Sequence, residues 1–132
     1  MRRVMASMTA VLAAFGGVAA GATAAEAKAA QKTRLVLTVA KGETPRPAAG
    51  RATLTCGPVG GSHQRAAAAC GQLKRVKGDF AALRVTDAMC TMQYEPVTVT
   101  AKGDWKGKKV AFQRTYGNGC VLSTETGSVF GF

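Results

Sequence analysis

Residues 96–116 read PVTVTAKGDWKGKKVAFQRTY, and this stretch decides the fold class. Its first part alternates, with Val97, Val99 and Ala101 on one face and threonines on the other, which predicts a half-buried β-strand. Residues 108–116 alternate again, and the intervening residues 103–107 begin and end with glycine. Two alternating runs joined by a short glycine-containing loop predict an antiparallel β-hairpin.

Other segments have the composition of strands. Residues 35–40 (LVLTVA) are rich in β-branched side chains and apolar on both faces, so we expect a central strand. Residues 41–50 contain two prolines and two glycines and predict a loop, after which residues 52–56 return as a second strand. The chain ends in SVFGF, residues 128–132, which predicts a last strand with its two aromatic rings buried.

One clear helix is predicted between these strands. Residues 64–74 carry four consecutive alanines, with Ser62 as the expected N-cap and Gly78 after the end. Asp79 is expected to cap a second, short helical turn that reaches Leu83. About five strands with this helical segment predict an α+β domain built on an antiparallel sheet.

The N-terminus has the order of a secretory signal peptide. Arg2 and Arg3 precede an apolar run from Met8 to Val18, and small residues with Ala-x-Ala sites follow. The alternative is a buried or membrane-spanning helix, but glycines interrupt the run and a span needs about 20 apolar residues. We therefore predict a signal peptide at residues 1–27, a flexible arm at 28–33, a single domain at 34–132 and a secreted protein.

Four cysteines, Cys56, Cys70, Cys90 and Cys120, all lie in the predicted domain. An even number in a small exported domain indicates two disulfides. Three pairings are possible, and spacing favours the sequential one without excluding the others. A zinc site is the alternative, but it usually needs a C-x-x-C pair, and the chain has no such pair and only one histidine.

The charge balance is strongly basic, with a net charge of +11 for the full chain. Such a balance raises the question of nucleic acid or anionic surfaces. The basic side chains are scattered, however, and aromatic residues are not interleaved with them, so we expect neither a nucleic-acid nor a membrane partner. A cationic secreted protein that binds cell-wall polymers or membranes remains the alternative.

The residues of an active site are scarce. The only histidine, His63, follows the expected N-cap and is predicted to be exposed, and the cysteines are all assigned to disulfides. The acidic residues are spread along the chain, and no glycine-rich phosphate loop lies between a strand and a helix. We predict that the protein is not an enzyme, uses no cofactor or metal, and acts by binding.

The most unusual stretch is residues 89–96, MCTMQYEP. Its methionines and tyrosine lack any periodicity that would bury them on one face, while Cys90 tethers its start and Pro96 stiffens its end. A segment already held extended loses little conformational entropy when it enters a protease cleft. Residues 89–96 therefore predict a substrate-like inhibitory loop. The alternative is that Met89 and Met92 fill the core, a common use of methionine.

Five motifs stand out along the predicted domain: Leu35-Val36-Leu37-Thr38-Val39, Thr53-Leu54-Thr55-Cys56, Met89-Cys90-x-Met92-x-Tyr94-x-Pro96, Asn118-x-Cys120 and Gly127-Ser128-Val129-Phe130. Through these motifs the chain resembles, from Leu35 to Phe132, the Streptomyces subtilisin inhibitor family of secreted serine protease inhibitors. The resemblance departs from the family pattern at Thr91, where proline is frequent, and at Gln93, where a small apolar residue is common.

The resemblance implies a five-stranded antiparallel sheet with two short α-helices, a homodimer, and disulfides Cys56–Cys70 and Cys90–Cys120. It also implies reversible, substrate-like inhibition of subtilisin-type, or chymotrypsin-like, serine proteases. Met92 would fill the primary specificity pocket, and Met92–Gln93 would be the reactive bond. The remaining roles that it implies are protease contact for Met89, Cys90, Thr91, Tyr94 and Glu95, and support of the loop by Asn118 and Pro96.

Overall fold

The computed structural model describes residues 32–132, together with Gly17, Gly21 and Thr23. The predicted signal peptide, apart from those three residues, and positions 28–31 of the predicted arm lie outside the described residues. Over the part that is described, no helix has the length and apolar character needed to cross a membrane.

Four antiparallel strands form one sheet in the described part of the chain, in the order β2-β1-β3-β4. They are β1 (Thr33–Lys41), β2 (Gly50–Cys56), β3 (Val97–Trp105) and β4 (Lys108–Tyr116). Strand β1 is central, as its two apolar faces predicted. The predicted hairpin is also confirmed, since Trp105 pairs with Lys108 across a turn of two residues, Lys106 and Gly107.

The prediction of a fifth strand is wrong for residues 128–132, which form turns instead. Gly127, with φ of 55°, ends the preceding helix and turns the chain, and the backbone then bonds locally, from Val129 N to Thr126 O. The side chains of Val129 and Phe130 are nevertheless buried, and the ring of Phe132 lies 5.3 Å from that of His63. The apolar pattern at the C-terminus thus reports burial of side chains rather than pairing in the sheet.

Two α-helices and a short 3₁₀ turn complete the domain: α1 (Ala66–Arg75), the turn at Phe80–Ala82, and α2 (Gly119–Thr126). Asp79 caps the 3₁₀ turn by accepting from Ala81 N, as predicted. Ser62 is not the N-cap of α1, because the helix begins four residues later, at Ala66, and its N-cap is Arg65. The Ser62 hydroxyl instead accepts from Thr53 N at 2.9 Å and fastens the segment before α1 to β2.

The core lies on one face of the sheet, beneath the helices. The disulfide Cys56–Cys70 joins the end of β2 to α1, with a Cα–Cα distance of 5.7 Å. The second disulfide, Cys90–Cys120, confirms the sequential pairing. Buried side chains of this core include Leu35, Leu37, Leu54, Leu73, Phe80, Val99, Trp105, Tyr116, Val129 and Phe130.

His63 belongs to this buried layer, which corrects the expectation that it is exposed. Its side chain is 4% exposed. Its Nε2 lies 2.9 Å from the carbonyl oxygen of Val129, while Nδ1 accepts from Arg65 N at 2.9 Å. The imidazole therefore joins the start of α1 to the C-terminal turn, with both ring nitrogens engaged.

Candidate functional site

Residues 83–96 connect the 3₁₀ turn to β3 without regular secondary structure. We use the name Met92 loop for residues 89–96 of this connection. Met89 and Met92 are 97% and 96% exposed, and Tyr94 is 64% exposed. Single exposed apolar side chains are common on protein surfaces, but three large ones within six residues form an exposed group of the kind that marks an interaction site. The exposure rules out the alternative that the two methionines fill the core.

The Met92 loop is fastened to the domain on both sides of its exposed centre. Before Met92, the disulfide Cys90–Cys120 joins it to α2, with a Cα–Cα distance of 5.7 Å. After Met92, Glu95 N donates to the carbonyl of Gly117 at 2.9 Å. The carbonyl of Pro96 then accepts from Gly42 N at 2.7 Å, which fixes the point where the loop enters β3. Only residues 91–94 are left to span the gap between these attachments.

Asn118 holds the centre of the loop. Its side-chain Nδ2 donates to the carbonyl of Thr91 at 3.0 Å and to the carbonyl of Gln93 at 2.8 Å. These two carbonyls belong to the residues on either side of Met92, so the backbone is held on both sides while the Met92 side chain stays in solvent. Asn118 thus hydrogen-bonds the loop backbone on both sides of Met92.

The same amide begins helix α2. Asn118 Oδ1 accepts from Val121 N at 2.9 Å, which is the usual N-cap contact. One short side chain thus satisfies a free backbone donor of the helix and two carbonyls of the loop. Because the cap fixes the orientation of the amide plane, the two Nδ2 hydrogens are already directed at the loop.

Side-chain contacts order the part of the loop that follows Met92. Gln93 Nε2 donates to Glu95 Oε1 at 3.2 Å, and the Tyr94 hydroxyl donates to the carboxylate of Glu43 in the β1–β2 connection. The hydrogen bond to Glu43 raises the pKa of Tyr94 above its ordinary value, since it favours the protonated phenol. Thus a contact across 51 residues of sequence steadies the ring of Tyr94.

Several residues that support the loop were not predicted. Glu43 and Gly42 were assigned only to a loop, because nothing in their local pattern indicates that pairing of β1 with β3 brings them beside Pro96. Gly117 and Thr124 contribute carbonyl groups, the latter accepting from Val85 N and Thr86 N. The sequence offered one signal for this arrangement: Asn118, a residue type that often caps helices, stands directly before the segment that forms α2.

Potential catalytic groups are separated or engaged elsewhere. His63 is buried with both ring nitrogens engaged, and both disulfides are formed, so no described cysteine carries a free thiol. Within residues 32–132, no cluster of three or more histidine, cysteine, aspartate or glutamate side chains could hold a metal ion. The Met92 loop, by contrast, presents exposed apolar side chains to a partner.

Comparisons with known proteins agree with this geometry. A family model described as subtilisin inhibitor-like matches residues 31–118. "Subtilisin inhibitor-like protein 5" of Streptomyces fradiae is 52% identical over 102 residues, covering 74% of this chain and 95% of the relative. "Subtilisin inhibitor-like protein 4" of Streptomyces lavendulae is 44% identical over 116 residues, covering 83% and 97%.

A solved structure has a similar fold. It is Streptomyces caespitosus sermetstatin, determined in complex with Bacillus licheniformis subtilisin, with a TM-score of 0.63 and 32% identity. The match covers 76% of this chain and 99% of that one. The family match, the relatives and the fold agree, and so the chain belongs to the subtilisin inhibitor-like family, whose members are protease inhibitors and not enzymes.

Proposed function

We propose that this protein inhibits subtilisin-type serine proteases by a substrate-like, reversible mechanism, with Met92–Gln93 as the reactive bond. The observation that carries the proposal is the exposed Met92 side chain between two carbonyls that Asn118 holds. A protease binds its substrate as an extended segment, and a segment ordered in advance avoids most of the entropy that a free peptide loses. The subtilisin complex of the sermetstatin structure supports the class of target.

The attachments on the two sides of the bond explain how cleavage is made reversible. If the protease serine attacks the carbonyl carbon of Met92, the amine of Gln93 is released as the leaving group. The Met92 side stays tethered through Cys90–Cys120, and the Gln93 side through the Glu95–Gly117 hydrogen bond. The new amine therefore remains beside the acyl group, so religation competes with release.

Met92 also sets the specificity of the proposed inhibitor. An unbranched apolar side chain suits the large hydrophobic pocket of a subtilisin or a chymotrypsin-like protease. It cannot form the ion pair with the buried aspartate in the specificity pocket of trypsin. We therefore expect strong inhibition of subtilisin and weak inhibition of trypsin. Met89, equally exposed three residues upstream, would occupy a second pocket of the protease.

Two matched variants test the reactive bond, because the loop offers two exposed methionines. Met92→Lys is expected to strengthen trypsin inhibition by at least 100-fold, because the buried aspartate of the trypsin pocket, left without a partner by Met92, costs about 3 kcal/mol. Met89→Lys adds the same charge to the same loop and should leave trypsin inhibition weak. Sequencing of the product formed slowly by subtilisin should show cleavage between Met92 and Gln93. Equal trypsin inhibition by both variants, or cleavage elsewhere, would refute the assignment.

We further propose that the protein is secreted after removal of residues 1–27, and that residues 34–132 form the inhibitory domain behind a flexible arm at 28–33. Two disulfides support an oxidising destination, since such bonds persist outside the cytosol. N-terminal sequencing of exported protein tests the cleavage point. A start well away from Lys28 would contradict it.

We also propose that the protein forms a homodimer, as the family resemblance implies. The open face of the sheet supports this proposal, because Val36 and Thr38 of β1 and Thr100 of β3 line a depression there, opposite the helices. Sedimentation equilibrium should give twice the chain mass. A single-chain mass at micromolar concentration would contradict the proposal.

A further inference from the structure

A second surface has an unusual charge and lies away from the Met92 loop. Lys74, Lys77, Lys106 and Lys108 line a shallow depression beside the ring of Trp105. Lys74 lies at the end of α1 and Lys77 follows it, while Lys106 lies in the β3–β4 turn and Lys108 is the first residue of β4. We use the name lysine patch for these four residues.

Nothing described in the structure neutralises the lysine patch. The ion pairs of residues 32–132 are Arg84–Glu125, Lys109–Asp104 and Arg114–Glu125, and none includes a member of the patch. The two acidic side chains closest in sequence are engaged: Asp104 with Lys109 at 2.8 Å, and Asp79 with Ala81 N at 3.1 Å. Four positive charges around one depression without a counter-charge repel one another and favour an anionic partner.

The backbone gives an independent argument that these lysines are not arbitrary surface residues. Lys77 and Lys106 have φ of 54° and 46°, and they are the positive-φ residues other than glycine in the described chain. Glycine and asparagine are preferred at such positions, because other side chains are strained there. Lys77 follows α1, where glycine commonly ends a helix, and Lys106 opens a tight hairpin turn. The chain thus accepts unfavourable residues at two positions that both face the same depression.

Local stabilisation does not account for the pattern. Lys74 lies in the last turn of α1 and interacts favourably with the helix dipole, but Lys106 and Lys108 are not on a helix. The Lys106 ammonium is 6.0 Å from the centroid of the Trp105 ring, at the outer limit of a cation–π contact. Neither contact explains why lysine stands where glycine or asparagine would suit the backbone.

We infer that the lysine patch binds a flexible polyanion that carries phosphate groups on a repeating, non-aromatic backbone. Single-stranded nucleic acid would need exposed rings for base stacking, but Trp105 is only 5% exposed and is the sole aromatic residue lining the depression. Strand β3 runs from the end of the Met92 loop to the patch, and its eight residue steps separate them by roughly 26 Å. The protein can therefore hold a polyanion while the loop stays free for a protease, an activity additional to the proposed inhibition.

The test uses sodium polyphosphate and two double variants with equal loss of charge. Lys77→Asn with Lys106→Asn removes two members of the patch and supplies a residue that suits positive φ. The matched control, Arg46→Gln with Arg51→Gln, removes two charges from the depression on the open face of the sheet. Binding is measured by calorimetry at several salt concentrations, thermal unfolding by circular dichroism, and inhibition by titration of subtilisin.

The expected results separate the patch from net charge and from folding. Each contact between a lysine and a phosphate releases about 0.7 counterion on binding. Losing two such contacts therefore weakens binding roughly 25-fold at 0.1 M salt. The slope of the logarithm of the binding constant against the logarithm of the salt concentration should become less steep by about 1.4. The melting temperature of the lysine double variant should be equal to or above that of the parent, and its subtilisin titration unchanged. The arginine control should bind polyphosphate within about threefold of the parent, since screening at this salt limits distant charges.

Four outcomes would overturn the inference. One is an equal loss of affinity in both double variants, which would indicate net charge alone. Another is a lower melting temperature of the lysine double variant, which would mean that these lysines serve the fold. Displacement of polyphosphate by subtilisin would show that the two sites overlap. Tighter binding of a DNA oligonucleotide, phosphate for phosphate, would replace the proposed partner with nucleic acid.

Discussion

Replacing Asn118 with aspartate separates the two tasks of this side chain. The remaining Oδ1 can still accept from Val121 N, and aspartate is as good an N-cap as asparagine. The Nδ2 donor is lost, however, and an oxygen then faces the carbonyls of Thr91 and Gln93. Asn118→Asp therefore releases the Met92 loop while leaving the start of α2 intact.

The magnitude follows from the two hydrogen bonds, at 3.0 and 2.8 Å. Each contributes about 1 kcal/mol net, so their loss amounts to about 2 kcal/mol, or roughly 30-fold in the inhibition constant for subtilisin. The free energy of unfolding should fall by less than about 2 kcal/mol, because the freed loop regains conformational entropy. Asn118→Ala loses the cap as well and should cost about 1 kcal/mol more in stability.

The assay compares both variants with the parent protein. The inhibition constant comes from titration of subtilisin against a chromogenic substrate, the free energy of unfolding from urea denaturation, and bond cleavage from mass spectrometry of the complex. Asn118→Asp should inhibit no better than Asn118→Ala, since both lose the same two bonds and the carboxylate of the aspartate also faces two carbonyl oxygens. Unchanged inhibition by Asn118→Asp, or much weaker inhibition by Asn118→Ala than by Asn118→Asp, would refute the reasoning.

Three other contacts lead to shorter predictions. Glu43→Gln removes the carboxylate that raises the pKa of Tyr94, so the absorbance of the Tyr94 phenolate should appear at lower pH, and an unchanged titration would contradict the contact. Because a raised pKa favours the neutral phenol, the contact stabilises the fold at neutral pH, and this stabilisation is lost above the raised pKa. Cys90→Ser with Cys120→Ser opens a 30-residue loop and should lower the free energy of unfolding by roughly 3.6 kcal/mol. Subtilisin should then cleave the Met92 loop and release it, and retained inhibition would show that the hydrogen bonds alone hold the loop. Gly78 has φ of 77°, and Gly78→Ala would place a Cβ 2.3 Å from a carbon of the Trp105 indole. Urea denaturation should show a loss of more than about 2 kcal/mol in the free energy of unfolding, while titration of subtilisin should give an unchanged inhibition constant.

The four strands could be predicted because their signals are local. Alternation with period two assigns residues to faces without reference to the rest of the chain, and the burial of β4 follows it closely. Strand β3 was predicted to be half-buried, but Thr98 and Thr100 are buried as well as Val99 and Ala101. The central place of β1 also follows from the sequence, since Leu35 and Leu37 face the core while Val36, on the opposite face, is half-buried. A strand with apolar residues on both faces is poorly suited to an edge.

The errors fall where the outcome depends on distant contacts. Residues 128–132 have the composition of a strand, yet Ser128 N bonds to Gln72 Oε1 of α1, and the segment packs through its side chains. The resemblance implies two helices, but no helix was predicted at residues 119–126, because Gly, Cys, Val, Ser and Thr have low helix propensity. Formation of α2 depends on the Asn118 cap and on the disulfide at Cys120, and the sequence shows neither contact directly.

The unpredicted helix changes how the candidate site is understood. From residues 89–96 alone, the loop is a tethered segment whose stiffness comes from Cys90 and Pro96. In the structure, Asn118, the N-cap of α2, stiffens the centre of the loop. Its side chain must supply one acceptor for the helix and two donors for the loop, at fixed distances. Among short side chains only asparagine carries that set, since aspartate has no donor and serine has one. The residue at position 118 is thus constrained by the helix and the loop together, so a substitution that preserves the fold can still abolish the rigidity on which tight inhibition depends.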